Sequence, residues 1–77
     1  MDAARWRAEA MCRPTTIDEQ EVARRRAQAE RFYREQGIVP DEDMRADHAL
    51  YILGKMSLEE YQRYLALKHA PGSMSGE

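Results

Sequence analysis

The chain has 77 residues, 34% of them charged, a net charge of −2 and only one Trp, four Tyr and one Phe as aromatics. Ile, Leu, Val and Phe together number 11, and a chain this short buries only about 60% of its unfolded surface, so its core is thin. These quantities exclude an enzyme built around a deep cleft of its own and favour a one-domain binding module.

In chain order, Asp2 to Arg13 is rich in Ala, Arg and Glu, with Trp6 and Met11 as its apolar bulk, before Pro14 interrupts it. Residues 1–15 are expected to be a flexible segment or a short helix, frayed when alone. Thr16 and Glu19 have capping-box spacing, which predicts a first firm helix over Ile17–Gln36. Gly37 supplies a left-handed cap, and Pro40 forbids continuation. That helix carries only Ile17, Val22, Phe32 and Tyr33 as large apolar groups, so it reads as a segment that docks on another surface. Asp41, Glu42 and Asp43 favour the positive end of a second helix over Asp41–Leu53, closed by Gly54. Ser57 and Glu60 form a second capping box, opening an amphipathic third helix that reaches His69, with Leu58, Tyr61 and Leu65 in one stripe. Residues 71–77, with Pro71, Gly72 and Gly76, read as a disordered tail. The expected fold is all-α: a small three-helix module over residues 16–70 with a possible extra N-terminal helix and no sheet.

Charge and motif content narrow the chemistry. Residues 1–36 hold eight Arg against seven acids, and residues 37–77 four bases against seven acids. Acids interleave the arginines and crowd the start of the second helix, which argues against direct nucleic-acid binding and against a recognition helix there. Cys12, His48 and His69 lie more than 20 residues apart and share no ligand spacing, so no metal is expected. No nucleophile elbow or Gly-rich phosphate loop is present, so neither catalysis nor a cofactor is expected. The lone Cys12 leaves no internal disulfide, as in a cytoplasmic protein. No run approaches the roughly 20 apolar residues of a membrane span, and the N-terminus lacks a signal-peptide core.

The segment Arg24–Leu65 joins an Arg-rich helix ending Gln36-Gly37, then Ile38-Val39-Pro40-Asp41, then a helix ending Tyr51-Ile52-Leu53-Gly54-Lys55-Met56-Ser57, then a final amphipathic helix. It resembles the VbhA-like antitoxins, small three-helix proteins that clasp a Fic-domain toxin, an enzyme that transfers AMP from ATP to a hydroxyl of its target. The resemblance implies a protein that blocks the toxin's ATP site. The family's inhibitory motif is Ser or Thr, three variable residues, Glu, then Gly or Asn. Here Phe32 stands at the Ser/Thr position, Gln36 at the Glu position and Gly37 at the Gly position. A neutral amide forfeits the charge-assisted pair that the family's Glu makes with an arginine, about 1.5–3 kcal/mol where buried. Glu35 is about 100° around the helix from that position.

The expected partner-binding residues are therefore Arg31, Phe32, Arg34, Glu35, Gln36 and Gly37, with Phe32 as apolar anchor and Gln36 as plug. A second reading keeps inhibition but changes the target: an anti-CRISPR-like protein whose Asp41, Glu42, Asp43, Asp47, Glu59 and Glu60 imitate phosphates in a basic channel. A third is a structural adaptor or homodimer joined through Tyr51, Tyr61 and Leu65.

Overall fold

The computed structural model describes residues 2–70 and contains four helices, with no strand among the described residues. They are α1 (Ala3–Met11), α2 (Glu19–Gln36), α3 (Glu42–Ile52) and α4 (Leu58–Lys68). The expected tail, 71–77, lies outside the described residues.

Each helix starts on a short polar side chain that accepts a backbone N–H three residues on: Asp2 from Arg5, Asp18 from Glu21, Asp41 from Met44 and Ser57 from Glu60. The start of α2 differs from the expectation. Asp18 caps it, and the Thr16 hydroxyl instead donates to the Gly54 carbonyl at 2.6 Å. Of the Ser57–Glu60 box, only the Ser half forms, because the Glu60 carboxylate faces Arg13 and Trp6. The ends of α2 and α3 carry the expected glycine. Gly37 has φ 67° and Gly54 φ 71°, and around each the 6→1 bonds close from Ile38 N–H to Tyr33 O and from Lys55 N–H to Leu50 O.

Helix α3 is central, and its two faces explain why it shows no amphipathic stripe. Leu50 joins Ala10, Met56 and Tyr64 in one core, with Trp6 and Ala3 packed against it, while Ile52 joins Ala29 and Tyr33 in a second. Two residues are about 200° apart on a helix, so α3 is buried from both sides. Helix α1 packs on α3 and α4, and α2 packs on α3.

The N-terminal segment takes the short-helix form of the two expected, and that helix is part of the core. Ala10 is fully buried, Trp6 meets Tyr64 edge-on with centroids 5.8 Å apart, and the Trp6 indole N–H donates to Glu60 at 3.0 Å. Ion pairs and the mutual side-chain to carbonyl hydrogen bonds of Arg13 and Lys55 complete its attachment. Arg7 donates to Asp43 and Asp47, and Arg13 forks onto both Glu60 oxygens at 2.8 and 2.9 Å. Asp47, 5% exposed, gathers Arg7, Lys68 and the Tyr64 hydroxyl and so ties α1, α3 and α4 together.

An aromatic cleft between α2 and α4

The residues predicted to meet a partner sit at the C-terminal end of α2, and all six are exposed. Arg31, Arg34 and Glu35 form no ion pair among the described residues. The periodicity accounts for the arrangement. Ala29 and Tyr33, at i and i+4, turn inward to Ile52, leaving Phe32 100° away on the flank toward α4. Phe32 is 49% exposed, whereas its neighbour Tyr33 is 5% exposed. This is the position an anchor side chain needs, apolar and only half satisfied by its own protein.

Phe32 stands at the junction of two apolar hollows that form one cleft between α2 and α4, floored by α3. One lobe, of 330 Å³, is lined by Arg25, Gln28, Phe32, His48, Tyr51, Tyr61 and Leu65. The other, of 410 Å³, shares Phe32, His48, Tyr61 and Leu65 and continues past Tyr33, Ile38 and Met44 to a charged end formed by Asp41, Asp43, Asp47, Lys68 and His69. A larger hollow of 590 Å³ runs along the opposite flank of α2, but its floor is Val22, Ala23, Ala27 and Leu53, with no aromatic group to hold a guest.

The cleft's rings form a continuous series. Tyr33 and His48 meet edge to face at 5.5 Å, His48 stacks on Tyr61 at 5.9 Å and 12°, and Tyr61 stacks on Tyr51 at 5.8 Å and 23°. The Arg25 guanidinium lies 4.2 Å from the Tyr51 ring centroid and donates to the Tyr51 carbonyl at 2.9 Å. The Tyr33 hydroxyl and His48 Nδ1 share a 2.6 Å hydrogen bond. Burial pushes the Tyr61 hydroxyl up to about 12 and holds the His48 imidazole below its ordinary value, the latter against an opposing pull from Glu30. At pH 7 the rings are thus a neutral surface with charge at the edges. His48 and Arg25 are members that the sequence did not single out, although the i, i+3 relation of His48 to Tyr51 is a visible signal of a shared face.

Of the six acids of the alternative face, Asp41, Glu42, Asp43 and Glu59 are exposed, Glu60 is half-buried and Asp47 is buried. Asp43, Asp47 and Glu60 are turned to Arg7, Lys68 and Arg13, and Asp41 caps α3. Glu59 pairs with Arg63. Lys68 and Arg7 hold the Asp43 carboxyl down at about 2, so Asp43 stays ionised and paired with α1 and α4. Tyr51, Tyr61 and Leu65, the residues of the homodimer reading, line the wall and floor of the cleft.

Among the described residues, no three of His, Cys, Asp and Glu converge as metal ligands, and no helix is long and apolar enough to cross a membrane. Comparison with protein-family profiles, with curated proteins and with solved structures found no match.

Proposed function

We propose that this protein is a small inhibitor that works by occupancy rather than by catalysis, laying the exposed end of α2 and the adjoining aromatic cleft on a partner protein. The partner proposed is a Fic-domain AMP-transferase, as the likeness of the Arg24–Leu65 segment to the VbhA-like antitoxins implies. One observation carries the reading: Phe32 stands half out of the fold at the mouth of an apolar cleft, one residue from a fully packed tyrosine. Arg31, Arg34, Glu35 and Gln36 surround it on the exposed face, and Gly37 closes the helix beside them.

In this arrangement Phe32 anchors, and Gln36, one helical turn further on, reaches toward the nucleotide site. Obstruction is then steric, with amide hydrogen bonds in place of an ion pair. The test is AMP transfer by a Fic-domain enzyme of the same host, measured with increasing amounts of this protein. Transfer is expected to fall, and Phe32→Ala combined with Gln36→Ala to restore it. Undiminished transfer at saturating inhibitor, or equal inhibition by the double variant, refutes the proposal. Because Phe32 is half exposed, Phe32→Ala is expected to leave the melting temperature within a few degrees of the parent.

A further inference from the structure

The flank of α2 turned away from the aromatic cleft carries the 590 Å³ hollow, which reaches from Thr15 to Glu30 over a floor of Val22, Ala23, Ala27 and Leu53. Ala23 and Phe32 are nine residues apart in the chain, about 180° around the helix. Val22 and Leu53 are half-buried, and Ala23 and Ala27 are exposed. With no ring to grip an anchor side chain, this surface suits the close approach of another helix, for which the small residues leave room.

Three charged side chains border the hollow: Glu19, Arg26 and Glu30. Glu30 is engaged by Arg45 at 3.0 Å. Glu19 and Arg26 are exposed and make no ion pair among the described residues. They are seven residues apart. On a helix they therefore stand in one row, about 20° apart in angle and about 10.5 Å apart along the axis. The midpoint of that row falls between Val22 and Ala23, and the ends of the hollow, Thr15 and Glu30, share the same midpoint.

A row with an acid at one end, a base at the other and small residues between them is its own complement when turned end over end. A two-fold axis through the midpoint sets Glu19 against Arg26 of a second copy and Arg26 against Glu19 of that copy, and it brings the Thr15 end of each hollow to the Glu30 end of the other. A parallel pairing puts acid on acid and base on base, so the charges select the antiparallel one. Ala23 lies beside the axis, where two helices can approach to about 8 Å, and Val22 and Leu53 give up their remaining contact with water.

We propose that this flank of α2 is a homodimer interface, in which two copies pack α2 against α2 antiparallel about a two-fold axis between Val22 and Ala23, held in register by reciprocal Glu19–Arg26 ion pairs. The surface is separate from Tyr51, Tyr61 and Leu65, and Phe32 of each copy faces away from the contact, so one dimer presents two aromatic clefts. The interface does not depend on what the cleft binds.

The test is sedimentation equilibrium of the full chain without any other protein, from about 10 µM to about 1 mM. A reversible monomer–dimer equilibrium is expected, with a dissociation constant on the order of 100 µM, since the apolar contact is small and its ion pairs are exposed to water. Glu19→Arg and Arg26→Glu are each expected to weaken the dimer at least about tenfold, because each sets like charges against one another. Mixed in equal amounts, the two variants are expected to associate about as well as the parent, since every pair across the axis is then opposite in sign. Both side chains are exposed, and far-UV circular dichroism of the variants is expected to match that of the parent. Phe32→Ala, on the other flank, is expected to leave the dimer intact. A chain that stays monomeric at every concentration, a charge reversal without effect, or a mixture that fails to associate overturns the proposal. Loss of the dimer in Phe32→Ala overturns it as well, by assigning the contact to the cleft.

Discussion

Removing the Asp47 carboxylate is the most informative perturbation of this fold, because that single group binds three helices. The Asp47 side chain accepts the Tyr64 hydroxyl at 2.5 Å and Arg7 at 3.0 Å and also meets Lys68. Tyr64 is 1% exposed, so Asp47→Ala strands a buried hydroxyl at about 1–3 kcal/mol. Arg7 and Lys68 fare better. Their side chains are 28% and 21% exposed and keep Asp43 as a partner, so their loss is nearer 1 kcal/mol than the 3–5 of a fully buried pair. The total, about 3 kcal/mol, is a large share of the roughly 4–12 kcal/mol expected for a chain of this size. It corresponds to a fall of about 12–24 °C in Tm. Trp6 fluorescence reports the transition, since that ring packs on Tyr64. In a double-mutant cycle, Tyr64→Phe should cost about 1 kcal/mol in the parent and far less in Asp47→Ala, where the hydroxyl is already unpartnered. A loss below 1 kcal/mol for Asp47→Ala, or a Tyr64→Phe effect unchanged by the state of residue 47, refutes the account of Asp47 as a three-helix tie.

The two glycine caps offer a paired comparison by thermal melting. Gly37→Ala meets nothing within 4 Å and should cost only the left-handed penalty, about 1 kcal/mol, whereas Gly54→Ala also drives a Cβ to 2.9 Å from Ile17 Cγ1 and Thr16 Oγ1 and should cost clearly more. Equal losses would show that the Thr16–Ile17 segment yields freely. Acid unfolding followed by Trp6 fluorescence should begin only below about pH 4. Arg24 and Arg25 lower the Glu21 carboxyl to about 2, and Lys68 and Arg7 do the same for Asp43, so both groups stabilise the fold above their unfolded values of 4.5 and 3.8 and lose that contribution as pH falls through about 2. Loss of the Trp6 signal between pH 6 and pH 5 would contradict this assignment.

The helices were legible because their signals are local. Gly37 and Gly54 stop helices through backbone geometry, Pro40 bars continuation, and Ser57 or Asp41 supplies a cap within three residues of its target. Thr16 has the spacing for such a role, yet Asp18 fills it, because the acceptor that claims the Thr16 hydroxyl is 38 residues away. The exposed end of α2 was legible too, from the sparse apolar positions around Phe32. The fate of the acids was not. Asp43, Asp47 and Glu60 look like a free negative face until Arg7 and Arg13 arrive from a segment with too little apolar bulk to announce itself, at separations of 36, 40 and 47 residues. The sequence by itself determined where helices begin, end and turn, because those choices are made within one turn of chain. Only the tertiary structure decided that α1 completes the core and that Phe32, His48, Tyr51 and Tyr61 meet in one cleft, because burial and charge pairing depend on which distant surfaces close together.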